Sequence, residues 1–178
     1  MRRVSTIAEV AHKRGASGEL VFVKLRHQVF SGDQLAIEED QDLVYRQAST
    51  SNAVPAAKPA PLPAQWSREM RPDPVLLFRY SALTFNSHRI HYDRDYAREQ
   101  EGYAGLVVQG PLTATLLLDL LRREMPQARV ETFGFRGVRP VLDGQPIMLQ
   151  GARDGDGARL WALDASGALA MDARVGLL

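Results

Sequence analysis

Gly110-Pro111-Leu112-Thr113-Ala114-Thr115-Leu116-Leu117-Leu118-Asp119-Leu120-Leu121-Arg122-Arg123-Glu124 is the stretch that decides the fold. Proline suits a first helical position, where its missing N–H costs nothing, and Arg122 and Arg123 meet the negative end of the helix dipole. Until Asp119 the segment is apolar on nearly every face. A helix of that kind must be wrapped by other structure rather than lie on a surface.

Outward from it, residues 129–139, 147–153, 158–164 and 168–175 read as strands, with Asp154-Gly155-Asp156-Gly157 and Ala165-Ser166-Gly167 as turns between the last three. Upstream, Val75-Leu76-Leu77-Phe78-Arg79-Tyr80 reads as a strand. A polar segment follows over residues 86–93, and Asp93 then caps a short helix through Glu99 that Gly102 ends. Strand, central helix and antiparallel strands over residues 73–178 make an α+β unit with a long helix cradled by a sheet, the hotdog architecture.

Residues 1–46 hold only the sheet half of such a unit. Residues 5–13, 19–30 and 35–46 read as a three-stranded antiparallel meander with one polar face, joined by Gly15-Ala16-Ser17-Gly18 and Ser31-Gly32-Asp33. No helix there covers the apolar face. Gly32-Asp33 echoes Asp143-Gly144-Gln145 ahead of its strands, which suggests a decayed duplication and a partial second hotdog. Between the two, residues 47–72 carry four of the ten prolines between Pro55 and Pro63 and read as a linker.

Composition narrows the chemistry. With 45% hydrophobic and 24% charged residues the chain can bury a core, so global disorder is excluded. Lys and Arg number 22 against 21 Asp and Glu, spread evenly, which speaks against nucleic acid as a partner. The absence of cysteine removes disulfides, thiolate nucleophiles and cysteine-bound metals. Apolar runs such as Leu116-Leu117-Leu118 or Val75-Leu76-Leu77-Phe78 are far too short for a bilayer, and the start lacks a signal-peptide apolar region, so the cytoplasm is the expected compartment.

Two of the four histidines fall in Thr84-Phe85-Asn86-Ser87-His88-Arg89-Ile90-His91-Tyr92-Asp93, with an amide, a guanidinium, a phenol and a carboxylate. Polar groups so dense ahead of an apolar helix are either solvated or functional. The spacing of His88, His91 and Asp93 fits no zinc signature, and no metal is expected.

This segment, followed by Tyr96-Ala97 and Gly105-Leu106-Val107-Val108-Gln109-Gly110-Pro111-Leu112, resembles the MaoC-type hotdog hydratases and dehydratases. It is most similar there to the type 2 hydroxyacyl-thioester dehydratases and the mesaconyl-CoA or itaconyl-CoA hydratases. Phe135-Arg136-Gly137-Val138-Arg139-Pro140-Val141 and Asp143-Gly144 match the strand after the helix in that family. The resemblance covers residues 75–176, and residues 4–46 look like the end of the family's first hotdog. The family motif runs Asp-x-Asn-Pro-x-His. Here His91 takes the histidine position, Asn86 stands in place of the aspartate, and His88 and Arg89 replace Asn-Pro. The resemblance therefore implies an acyl-CoA hydro-lyase with no cofactor beyond the CoA of its substrate.

Hydration of a 2-enoyl thioester needs a base for water, an acid for the α-carbon and donors for the enolate oxygen. His91 can move the proton, Asn86 can hold the water, and the amides at the helix start, with Gly110 and Gln109 beside it, can receive the thioester carbonyl. His88, Arg89 and Tyr92 are candidates for a further substrate carboxylate or the pantetheine arm, and Arg136 and Arg139 for CoA phosphates. Each also has a plainer reading as a packed, turn-forming or solvated residue. A thioesterase is the alternative enzyme, disfavoured because residues 110–118 hold no acid; an inactive binding or assembly module is the alternative from another class. The uncovered sheet face of residues 4–46 leads us to expect a homo-oligomer.

Overall fold

The computed structural model describes residues 1–15, 18–46 and 56–178 and divides into two compact units, Met1–Asn52 and Ala53–Leu178. In the first, β1 (Arg2–Gly15), β2 (Gly18–Ser31) and β3 (Gln34–Arg46) form an antiparallel meander in the order β1-β2-β3. Ala16 and Ser17, expected in the first turn, lie outside the described residues. Gly32 turns β2 into β3 with φ of 60°, a conformation that favours glycine.

Alternation puts most of the charged side chains of this sheet on one face, although Phe22 and Val44 pair there too. One face carries Arg26 forked onto Asp40 (2.8 and 3.0 Å), Lys24 beside Asp42 (3.5 Å) and Gln28 bonded to Glu38 (2.9 Å). The other carries Ile7, Val10, Val23, Leu25, Ile37 and Tyr45, aligned across the strands by register. Ile7, Val10, Ile37 and Tyr45 are exposed, and among the described residues this unit has no helix of its own to cover them. The one buried residue of the unit, among the described residues, is a histidine, His27. Its Nδ1 meets Ser5 Oγ at 2.9 Å on β1, and its Nε2 meets Gln41 Oε1 at 3.1 Å on β3.

In the second unit, β4 (Trp66–Met70) leads to α1 (Pro74–Thr84), a single turn at Arg89–His91, α2 (Arg94–Glu99) and α3 (Gly110–Glu124). β5 (Val130–Gly137), β6 (Ile147–Asp154), β7 (Gly157–Leu163) and β8 (Leu169–Leu177) follow. The five strands form one antiparallel sheet in the order β4-β6-β7-β8-β5. Helix α3 buries Leu112, Ala114, Leu117, Leu120 and Leu121 in a core shared with Ile147, Leu149 and Leu160 of the sheet. This is the hotdog arrangement. Among the described residues no helix is long and apolar enough to cross a membrane.

Two expectations are corrected. Residues 75–80 form the heart of α1, not a strand. Asp73 caps it, its carboxylate accepting from Leu76 N at 2.7 Å, and Pro74 opens the first turn. Six apolar-rich residues fit either period, and the capping residues in front decide the matter. The second correction concerns the expected linker. Residues 47–55 lie outside the described residues, but β4 pairs with β6 from Trp66 opposite Gly151 to Met70 opposite Ile147. Lys58 O accepts from Leu169 N at 2.8 Å, and Ala60 and Leu62 pack on the buried Trp161, on the sheet face away from α3. Prolines suit this part because an extended cover strip needs few amide donors.

Candidate functional site

The polar segment between α1 and α2 is held by its own backbone. Phe85 ends α1 in the left-handed region (φ 52°), and its amide and that of Asn86 close back on Ala82 O and Ser81 O. Asn86 Oδ1 accepts from His88 N at 3.1 Å, and Tyr92 donates its hydroxyl to Ser87 O at 2.8 Å. These bonds fold residues 86–92 into a tight turn. Within it the rings of His88 and His91 meet edge to face at 5.4 Å.

His91 is buried, and its Nδ1 lies 2.7 Å from Val107 O. A carbonyl only accepts, so Nδ1 carries the proton and Nε2 presents a lone pair. Burial pushes the pKa of the ring below its ordinary value; the bond to Val107 opposes this, and His88 adds to the lowering. At neutral pH His91 is therefore an uncharged ring whose Nε2 has no hydrogen-bond partner among the described residues.

The segment carrying Val107 runs directly into α3. Val107 N bonds Ile90 O and Val108 N bonds Val141 O, which anchors the segment on both sides. Farther back, Asp143 accepts from Leu106 N at 2.9 Å and takes the fork of Arg94. The first intrahelical bond runs from Thr113 N to Gln109 O at 3.1 Å, so the amides of Gly110 and Leu112 precede it. A methyl group added at Gly110 would meet only Met171 Cε, at 3.9 Å, so space beside this helix start is open. That space is a cavity of about 350 Å³, lined by Val107, Val108, Gly110, Thr113, Arg139 and Met171 among others. A larger hollow of about 510 Å³ on the outer side of α2, lined by Arg89, Asp93 and Glu99, is polar and reaches neither His91 nor Gly110.

Each sequence candidate now has a place. His91 and His88 touch, Asn86 is bonded to His88, and His91 is tied three residues ahead of Gly110. Gln109 is buried at the head of α3, where its Nε2 donates to Leu77 O and Ser81 Oγ, both at 2.9 Å, which braces α1 against that helix. Arg89 is turned away from His91. It bonds Asp93 at 2.7 and 3.1 Å and lies 4.2 Å over the Tyr96 ring. Arg136 stands on the edge strand β5 opposite Asp172, whose carboxylate is taken by Arg159. Asp119, the nearest acid on α3, is spent on Arg68 and Arg123 at 2.9 and 2.8 Å. The Val107 carbonyl was not visible in the sequence, since a backbone acceptor leaves no mark on side-chain pattern.

A family model described as hydroxyacyl-thioester dehydratase type 2 matches residues 1–143. The chain is 46% identical over 179 residues to a mesaconyl-C(4)-CoA hydratase of Chloroflexus aurantiacus, a match covering 99% of this chain and 63% of that protein. It is 37% identical over 130 residues to the mitochondrial hydroxyacyl-thioester dehydratase type 2 of Schizosaccharomyces pombe, covering 71% of this chain and 43% of that one. The chain thus spans less than two thirds of either relative. Among solved structures, HtdX of Mycobacterium tuberculosis superposes with a TM-score of 0.75 at 22% identity, over 99% of this chain and 68% of that one. A MaoC-like dehydratase of Phytophthora capsici gives 0.73 at 14% identity, over 99% and 61%. At such identities the structural likeness speaks for the fold alone.

Proposed function

The chain belongs to the hydroxyacyl-thioester dehydratase type 2 family, and from that premise we propose that it is an acyl-CoA hydro-lyase. It hydrates a 2-enoyl-CoA of the mesaconyl or itaconyl kind, or in reverse dehydrates a 3-hydroxyacyl thioester. The observation that carries this reading is the state of His91: buried, neutral, fixed through Nδ1 to Val107 O, with Nε2 unengaged beside the segment that opens α3.

In this scheme the thioester carbonyl rests on the amides of Gly110 and Leu112, at the positive end of the α3 dipole. Water is held by Asn86, whose amide group and second oxygen lone pair remain after the bond to His88 N. His91 Nε2 takes a proton from this water as the oxygen adds to the β-carbon, and electron density moves onto the carbonyl oxygen. The imidazolium then returns the proton to the α-carbon, which regenerates the neutral base. No electrons are gained or lost, so acid–base groups and the CoA of the substrate suffice. The exposed apolar face carrying Ile7, Val10, Ile37 and Tyr45 supports self-association, and a homo-oligomer is the form we propose. A monodisperse monomer in sedimentation would contradict it.

The test is loss of enoyl-thioester absorbance with crotonyl-, mesaconyl- and itaconyl-CoA, for the parent chain and for His91→Ala. A loss of turnover of ~10³-fold in His91→Ala is expected. A folded parent that turns over none of the three would end the hydro-lyase reading.

A further inference from the structure

Arg139 follows β5, and its side chain is only 15% exposed. Among the described residues its side chain has one ion-pair partner, Asp164, whose Oδ2 stands 3.4 Å from Nε without the alignment of a hydrogen bond, and the shielded Nε donates to none of them. Arg94 and Arg159, by contrast, fork onto Asp143 and Asp172 through two nitrogens each. Neither Nη of Arg139 is hydrogen-bonded to the described residues. A guanidinium this enclosed is costly unless its donors are met. Asp164 is itself rigid: the amides of Ser166 and Ala168 and the Ser166 hydroxyl all converge on its Oδ1. Arg139 is thus fixed from one side and unspent on the other.

Arg139 also lines the 350 Å³ cavity, together with Val107, Val108, Met171 and the head of α3 at Gly110. Apolar walls suit a short carbon chain, and a forked guanidinium suits a carboxylate. We propose that Arg139 receives a free carboxylate on the acyl group, so that the cavity selects thioesters of unsaturated dicarboxylic acids over simple enoyl thioesters. This rests on the hydro-lyase reading and assigns, within it, the residue that recognises the second carboxylate of a mesaconyl- or itaconyl-type acyl group. Arg139 and Gly110 share one cavity, so an anion at Arg139 sits close to the thioester. The phosphates of CoA lie a whole pantetheine arm away.

Binding separates recognition from chemistry. Succinyl-CoA and butyryl-CoA are unreactive C4 thioesters that differ by the terminal carboxylate, and both can be titrated calorimetrically into the full chain. The parent is expected to prefer succinyl-CoA by about 10-fold or more; Arg139→Gln should weaken succinyl-CoA by about 30-fold and butyryl-CoA by less than about 3-fold, with Arg139→Lys recovering part of the loss. The preference should persist when pantetheine replaces CoA in both ligands. No preference in the parent, equal weakening of both ligands in Arg139→Gln, or a preference lost with the pantetheine thioesters would each overturn the assignment. Should Arg139→Gln fail to fold, protection of Arg139 in the parent from phenylglyoxal decides the matter. Protection by succinyl-CoA and not butyryl-CoA supports the proposal, and protection by both or neither refutes it. A chain that shows the preference yet hydrates nothing would refute the hydro-lyase reading and leave this one standing.

Discussion

Each unit of the molecule buries a histidine, and the two are buried to different ends. His27, in the three-stranded sheet, has both ring nitrogens met by side chains on neighbouring strands, Ser5 and Gln41. His91, in the hotdog unit, has one nitrogen bound to a backbone carbonyl and the other unengaged. A saturated ring fastens strands together. A ring held at one end and free at the other is what the proposed reaction asks of its base. The same split runs through the packing, because every buried apolar residue among the described residues lies in the second unit. Burial of a histidine therefore says little until its second nitrogen is followed.

The sharpest break of that comparison is exchange of function between the two rings. His91→Ala should lower kcat per folded molecule by ~10³-fold, whereas His27→Ala should leave it within about 2-fold. Equal kinetic losses would show that the two rings are not doing different things. Next in size is the contrast of cores. Leu117→Ala should cost about 3 kcal/mol in denaturant unfolding, because α3 is enclosed, while Ile37→Ala on the open face should stay within about 0.5 kcal/mol. A large cost at Ile37 would mean that the face is covered in solution. The fastening role of His27 is smaller: its replacement by alanine should cost about 1 kcal/mol, since Ser5 and Gln41 can turn to water.

The smallest effect concerns pH. The pKa of His91 is lowered in the folded chain, so between its ordinary value and the lowered one the unfolded chain binds the extra proton. Its contribution to stability is complete above the ordinary imidazole value and is lost as pH falls toward the lowered one. The acid limb of kcat/KM should accordingly lie below the ordinary imidazole pKa, and His88→Ala should move that limb slightly upward. A limb at or above the ordinary value would contradict a desolvated His91.

Legibility in the sequence followed the length of the pattern. Fifteen residues from Gly110 to Glu124 with a proline at the start sufficed for α3, and alternation with glycine turns sufficed for the meanders. Residues 75–80 were too few to separate the helical from the strand period, and Asp73-Pro74 carried the missing information. The cover strip at residues 56–62 was hidden because its role depends on Trp161, a hundred residues away. Among the candidate residues, His91, His88 and Asn86 were singled out by spacing and family resemblance. The tautomer of His91 depends on Val107, and the outward turn of Arg89 on Asp93, contacts that emerge only in three dimensions, although Arg89 and Asp93 stand at helical spacing.

The edge strand β4 bears on the order of assembly. Trp66 pairs with Gly151, and Lys58 accepts from Leu169, so the segment made first within the second unit is bound by segments made nearly last. Closing such loops costs chain entropy before any contact repays it, whereas the hairpins of residues 2–46 close locally. During synthesis the first sheet can therefore form while the ribosome is still at work. The second must wait until β6 to β8 have emerged, and until then α3 is a bare apolar segment that a chaperone would recognise.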